Sequence, residues 1–112
     1  GPNYVSISLN LKIVFKKEIS EIQSIKERID FSLRRYLHPV TGGPKGDGWG
    51  FGIPLTKNDI FFVLDKIEGI YYIEEIEIKD DVAEVIVEKR MIEEDNLISV
   101  SKINILERKN QY

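Results

Sequence analysis

Hydrophobic and polar positions recur with two different periods along the chain, and the change of period divides it into strands and helices. A period of two over residues 5–15 predicts a strand with one buried face. Spacings of three and four then predict a helix over residues 20–37, and the same spacings predict a shorter helix over 57–68. The predicted buried positions of the two helices are Ile22, Ile25, Ile29, Leu33, Ile60, Leu64 and Ile67.

Polar residues and glycine mark the ends of both predicted helices. Ser20 with Gln23 predicts a capping box at the start of the first helix, and Thr56 with Asp59 predicts one at the start of the second. The first helix should end at His38-Pro39, because the residue before proline avoids the α region. Gly69 suits the left-handed position that follows the second helix.

Three further strands are predicted in the second half of the chain, over residues 70–78, 82–90 and 98–106. Asp80-Asp81 predicts a turn that joins the first two as a hairpin. The alternation in the last strand slips between Val100 and Ile103, which predicts a β-bulge.

The predicted order is β-α-α-β-β-β, in which strands and helices are segregated. This order indicates an α+β fold with one antiparallel or mixed sheet, two helices on one face and a long glycine-rich loop between the helices. Residues 3–107 are expected to form a single domain, the C-terminal module of a longer protein. Residues 1–2 have the sequence of a tag remnant, and 108–112 are expected to be a frayed tail.

The stretch YLHPVTGGPKGDGWGFGIPL, residues 36–55, is much longer than a helix–helix link needs to be. Apolar side chains alternate along it, at Trp49, Phe51, Ile53 and Leu55, which predicts a packed Ω-loop over 42–55 rather than a flexible linker. Two interpretations of its rings stay open. The rings pack onto the helix ends, or one of them docks into a neighbouring chain.

Charge and composition exclude several classes of function. The net charge is −3, and the segment 68–95 carries eight more acidic than basic residues, so the basic footprint of a nucleic-acid-binding protein is missing. No apolar run is long enough for membrane insertion. The chain has no cysteine, which excludes a disulfide framework, a thiolate nucleophile and a cysteine-based metal site.

Candidate chemistry is sparse. His38 is the sole histidine and has no nucleophile elbow to serve, and the glycine loop matches neither the Walker A nor the Rossmann pattern. The carboxylates in 74–81 lack EF-hand spacing. We therefore predict no catalytic residue, cofactor or metal. The candidate interaction or loop-anchor residues are Trp49, Phe51, Arg34, Arg35, Lys45 and Asp47.

One combination of residues resembles a known family. R-x-Y-L-x-P-V-x-G-G-P-x-G-x-G-W-x-F-G over residues 34–52, followed by I-x-G-I-Y-Y-I over 67–73, is similar to the C-terminal region of baseplate J-like assembly proteins. These proteins occur in contractile phage tails and phage-tail-like injection particles. The resemblance covers about residues 5–106. In one departure from the pattern, Ile53-Pro54 stands where relatives often carry a basic residue, so a charged contact there is not carried over.

The resemblance implies a structural role in the baseplate wedge and no catalytic residues. The implied partners are other baseplate subunits, including further copies of the full-length protein. The implied location is the cytoplasm during assembly and then the finished particle. The alternative function is a small ligand- or phosphate-binding enzyme domain that uses the glycine-rich loop 42–52. A deep polar cleft beside the loop would favour that alternative.

Overall fold

A computed structural model describes residues 3–49, 52–93 and 96–110 of the chain. The predicted tag remnant and the ring of Phe51 lie outside the described residues. The fold is α+β, as predicted. Its elements are β1 (Asn3–Phe15), α1 (Ile22–Tyr36), β2 (Leu55–Thr56), α2 (Lys57–Leu64), β3 (Ile70–Asp80), β4 (Val85–Val87), β5 (Lys89–Arg90) and β6 (Asn96–Lys109).

The main sheet is mixed and has the strand order β4-β3-β1-β6. The first strand of the chain, β1, lies in its interior, antiparallel to β3 and parallel to β6. One face of β1 packs on the core and the other face is more open, and this explains the clear alternation of its sequence.

The core lies on the face of the sheet formed by the odd-numbered residues of β1. Those residues, from Val5 to Phe15, are buried. They share one cluster with Ile29 and Leu33 of α1 and with Ile60 and Leu64 of α2, so both helices bury their apolar stripes in the same core. Ile22, predicted to be buried, lies at the margin of this cluster and is only partly buried.

The predicted bulge in the last strand is confirmed. Ile7 pairs with Val100 and Ser8 pairs with Lys102, so Ser101 is the extra residue of β6. The strand continues further than predicted, because Arg108 and Lys109 pair with β1 instead of fraying. The N–H of Asn110 then donates to the carbonyl of Phe15 at 2.7 Å.

The strand predicted over 82–90 is correct only in part, because 85–87 and 89–90 are strands but belong to two different sheets. Residues 81–84 form a turn, in which the Asp80 carboxylate accepts the N–H groups of Val82 and Ala83 at 3.0 Å each. Glu84 takes a positive φ of 58°, and β4 then pairs only with residues 78–80 of β3. The Asx-type turn therefore uses residues whose alternation had suggested a strand.

A second, two-stranded sheet was not predicted. Its strands β2 and β5 pair Leu55 with Arg90 and Thr56 with Lys89. The N–H of Gly52 donates to the carbonyl of Ile92 at 2.6 Å, and Ile92 is buried. This pairing ties the end of the glycine-rich loop to the segment that leaves the hairpin. Two-residue strands carry no periodicity, so only the tertiary structure reveals them.

One of the predicted helix boundaries is confirmed and two are wrong. The capping box of α2 is confirmed, and the Asp59 carboxylate accepts the N–H of Thr56 at 2.8 Å. The box predicted at Ser20 is wrong, since α1 begins at Ile22 after Glu21 and has no side-chain cap. The end of α2 also lies earlier than predicted, at Leu64, and Gly69, with a φ of +99°, lies in the turn immediately before β3.

Candidate interaction surface

Trp49 is an internal anchor of the glycine-rich loop. Its side chain is 2% exposed and belongs to the core cluster. The ring meets that of Tyr36 edge-on, with centroids 5.7 Å apart and planes at 69°. Its indole N–H donates to the carbonyl of Ile53 at 3.3 Å. Of the two interpretations that the sequence left open, internal packing therefore holds for Trp49, whose ring attaches the loop to the end of α1.

The loop backbone lies directly on the last turn of α1. The N–H of Gly43 donates to the carbonyl of Tyr36 at 2.6 Å, and the N–H of Gly42 donates to that of His38 at 2.9 Å. A Cβ atom on Gly42 would lie 2.2 Å from the Tyr36 carbonyl oxygen, so the approach requires glycine. The N–H of Gly48 then bonds the carbonyl of Gly42 at 2.8 Å and closes the loop.

His38 caps the turn that leads into the loop. Its Nδ1 atom accepts the N–H groups of Val40 at 3.0 Å and Thr41 at 3.2 Å. An atom that accepts two N–H groups carries no proton of its own, so only Nε2 is left for any other contact. The sole histidine is thus used to build the turn.

The two arginines at the end of α1 have different roles. Arg34 pairs with Asp30 at 2.8 Å and donates to the carbonyl of Val100 at 2.7 Å, which fastens α1 to the edge strand β6. Arg35 is exposed and makes no ion pair within the part of the chain that the structure describes. Of this pair, Arg35 is the one free to meet a partner.

Lys45 and Asp47 lie at the exposed tip of the loop. With Pro39, Pro44 and Ile53 they line a hollow of about 350 Å³ beside the Trp49 ring. The structure thus separates the six candidate residues. Trp49 and Arg34 make contacts that hold the fold together, whereas Arg35, Lys45 and Asp47 are exposed to solvent. Phe51 lies outside the described residues.

Two larger grooves flank α1. The larger groove, of about 850 Å³, runs between α1 and β6. The smaller groove, of about 620 Å³, runs between α1 and α2 and ends at the glycine-rich loop. Phe31 and Arg35 line both grooves. Phe31 is not among the residues predicted from the sequence, although an aromatic residue on the polar face of an amphipathic helix is a signal that indicates an exposed apolar surface.

Three of the carboxylates between residues 74 and 81 have separate basic partners. Glu74 pairs with Arg108, Asp80 pairs with Arg90 at 3.2 Å, and Glu75 pairs with Lys12 at 3.0 Å. Within the described ranges, no group of three histidine or acidic side chains is placed to hold a metal ion. Glu77 lies beside Glu75, and the hydrogen bond between their side chains raises the pKa of Glu77 and lowers that of Glu75.

Asp81 lies beside the bulge, where it gathers three hydroxyl donors. Ser101 donates to its carboxylate at 2.6 Å, Ser8 at 2.6 Å and Ser6 at 2.8 Å. Burial acts to raise the pKa of Asp81, but the three hydroxyl groups outweigh it and hold the pKa below the ordinary value of 3.8. The carboxylate therefore links the turn after β3 to β1 and β6.

We expect Asp81→Ala to lower the free energy of unfolding at pH 7 by about 1–3 kcal/mol, because the buried hydroxyl of Ser8 loses its acceptor. A depressed folded-state pKa means that this contribution is complete above pH 3.8 and is lost as the pH falls through the lower folded-state value. Urea denaturation between about pH 5 and about pH 2 measures both effects. Asp47→Ala, on the exposed loop tip, is the matched control. An unchanged acid limb in Asp81→Ala would contradict the prediction.

No known protein-family model matches this chain, and no curated protein sequence is significantly similar to it. No helix among the described residues is both long enough and apolar enough to span a membrane.

Proposed function

We propose that this chain is a structural assembly domain of a baseplate wedge protein in a contractile tail or injection system, acting through protein–protein contacts. The observation that carries the proposal is how the loop uses its glycine N–H groups. Each described glycine of the loop donates to a backbone carbonyl: Gly42 to His38, Gly43 to Tyr36, Gly46 to Gly43, Gly48 to Gly42 and Gly52 to Ile92.

These hydrogen bonds favour one of the two candidate functions over the other. A phosphate cradle needs backbone N–H groups that are free to point at the ligand. Here the described glycines use theirs to hold the loop in shape, so the loop serves as a rigid surface element. This supports an assembly domain over the small ligand- or phosphate-binding enzyme domain.

Several of the residues that carry the resemblance to baseplate J-like proteins also hold the loop in this shape. Tyr36 supplies both the ring that Trp49 meets and the carbonyl that Gly43 bonds. Gly42 allows the backbone approach, and Gly48 bonds back to it. A motif that makes one fixed shape suits a protein that must fit the same neighbours in every particle. The proposed partners are accordingly other baseplate subunits, including further copies of the full-length protein.

The test is to locate the chain in purified particles. We expect mass spectrometry to detect it in contractile particles from the producing cells, and electron microscopy to place its α+β domain at the baseplate. Deletion of residues 3–110 from the full-length protein should leave tails without complete baseplates. Complete baseplates in the deletion strain would overturn the proposal.

A parallel measurement addresses the alternative function. Thermal unfolding of the purified chain is recorded with increasing ATP or inorganic phosphate, because a ligand that binds only the folded state raises the melting temperature by mass action. We expect no saturable shift. A saturable shift that Lys45→Ala removes would favour the phosphate-binding enzyme domain.

A further inference from the structure

A second stripe of residues runs along α1, apart from the stripe that packs in the core. Arg28, Phe31, Ser32 and Arg35 follow at spacings of three, four and seven from the first, so they share one side of the helix. All four line the groove between α1 and α2. Phe31 is 65% exposed, and with Phe62 it gives this groove an exposed aromatic surface.

Aromatic rings continue from α1 onto α2. The rings of Tyr36 and Phe62 lie with centroids 5.9 Å apart, and Phe62 is 49% exposed. The ammonium group of Lys66 sits 3.7 Å from the centroid of the Phe62 ring. The rigid loop closes one end of the groove at Gly42 and Gly43. The groove, of about 620 Å³, is large enough for one aromatic side chain and its neighbours.

The charged side chains that line this groove are all cations. They are Arg28, Arg35 and Lys66, and no carboxylate is among the lining residues. The ion pairs within the described part of the chain involve none of the three. This excess of positive charge is local to the groove, because the chain as a whole carries a net charge of −3. Its field favours an acidic partner and opposes a basic one.

We propose that the groove between α1 and α2 docks an acidic segment of another protein, a segment that carries an aromatic or large aliphatic anchor. The anchor enters between Phe31 and Phe62, and flanking carboxylates pair with Arg28 and Arg35. Arginine suits this role because its guanidinium group binds a carboxylate through two parallel hydrogen bonds. The inference rests on the proposed function, since it names the chemistry of the neighbour that the assembly domain contacts.

The test begins with selection of random twelve-residue peptides, displayed on phage, against the immobilised 112-residue chain. We expect the enriched peptides to carry a net negative charge and at least one aromatic or large aliphatic residue. Synthetic versions are then titrated against the wild-type chain and two groove variants, Arg28→Glu/Arg35→Glu and Phe31→Ala. Each variant should weaken binding on the order of tenfold or more.

A matched control separates groove contacts from overall charge. Lys17→Glu/Lys102→Glu changes the net charge by the same amount at two exposed sites outside the groove, and it should alter the dissociation constant less than about twofold. Circular dichroism melts check the fold of every variant. All the substituted side chains are exposed, so the melting temperatures should stay close to that of the wild type.

Several outcomes would overturn the inference. They are no enrichment, enrichment of neutral or basic peptides, and binding that Arg28→Glu/Arg35→Glu leaves unchanged. Self-association of the chain that the same variant abolishes would also overturn it, since a second copy would then occupy the groove. The peptide assay needs no particle. A negative result therefore removes the groove inference alone, whereas absence of the chain from particles removes the proposed assembly role and leaves measured peptide binding standing.

Discussion

Trp49→Ala is expected to destabilise the chain by about 3–5 kcal/mol, the usual range when a buried large aromatic side chain is removed from a packed core. The ring is 2% exposed, packs edge-on against Tyr36 and bonds the carbonyl of Ile53, so its loss opens a cavity under the loop. For a domain of this size, the corresponding fall in melting temperature is on the order of 15 °C. Thermal and urea unfolding monitored by circular dichroism measure the change.

Trp49→Phe is the matched variant. It keeps an aromatic edge against Tyr36 but loses the indole N–H that reaches Ile53, so it should cost less than the alanine variant. Because Trp49 is the sole tryptophan, wild-type fluorescence reports directly on this site. Emission should be blue-shifted and poorly quenched by iodide in the folded chain. A melting temperature that stays unmoved in Trp49→Ala would show that the ring is not the anchor described above.

Gly42→Ala should be nearly as damaging, by a different mechanism. The new methyl group would lie 2.2 Å from the Tyr36 carbonyl oxygen and 2.6 Å from the His38 nitrogen, both backbone atoms that cannot turn away. The loop must therefore move off α1 and give up the bonds made by Gly42 and Gly43. We expect a loss of about 3 kcal/mol or more, in the range that marks a specific structural defect.

The control for this prediction lies in the same loop. Gly46 has a φ of +72°, but a Cβ atom there would meet nothing within 4 Å. Gly46→Ala should therefore cost only the strain of a left-handed residue, about 1–2 kcal/mol. The difference between the two variants in urea unfolding isolates the close approach from the conformational preference of glycine. Equal losses in both variants would contradict the close approach at Gly42.

Long periodic elements could be predicted from the sequence because their pattern reflects burial on one face. The strand β1 and the buried positions Ile25, Ile29 and Leu33 of α1 were predicted in this way. The bulge at Ser101 was also predictable, since an extra residue breaks the alternation where it occurs. The α2 cap was predictable because its bonds join Thr56 and Asp59, three residues apart.

Elements that depend on distant partners escaped prediction. The pairing of β2 with β5 joins Leu55 to Arg90 across thirty-five positions of the chain, and neither strand has a pattern of its own. The turn predicted at Asp80-Asp81 extends to residue 84, because the Asp80 side chain accepts the N–H groups of Val82 and Ala83, so the strand predicted from residue 82 begins only at Val85. The roles of the candidate residues also depend on tertiary contacts. Arg34 and Arg35 are neighbours in sequence, yet one fastens α1 to β6 and the other faces solvent.

The sequence by itself determined the α+β class, the main strand and the two helices, because side chains with one period bury one face whatever they pack against. Only the tertiary structure decided that Trp49 points inward and that the loop glycines bond their own backbone. It alone brought Phe31 and Phe62 to one groove with three cations and no lining carboxylate. Those outcomes depend on which surfaces meet in space, and the local spacing of residues contains no record of that.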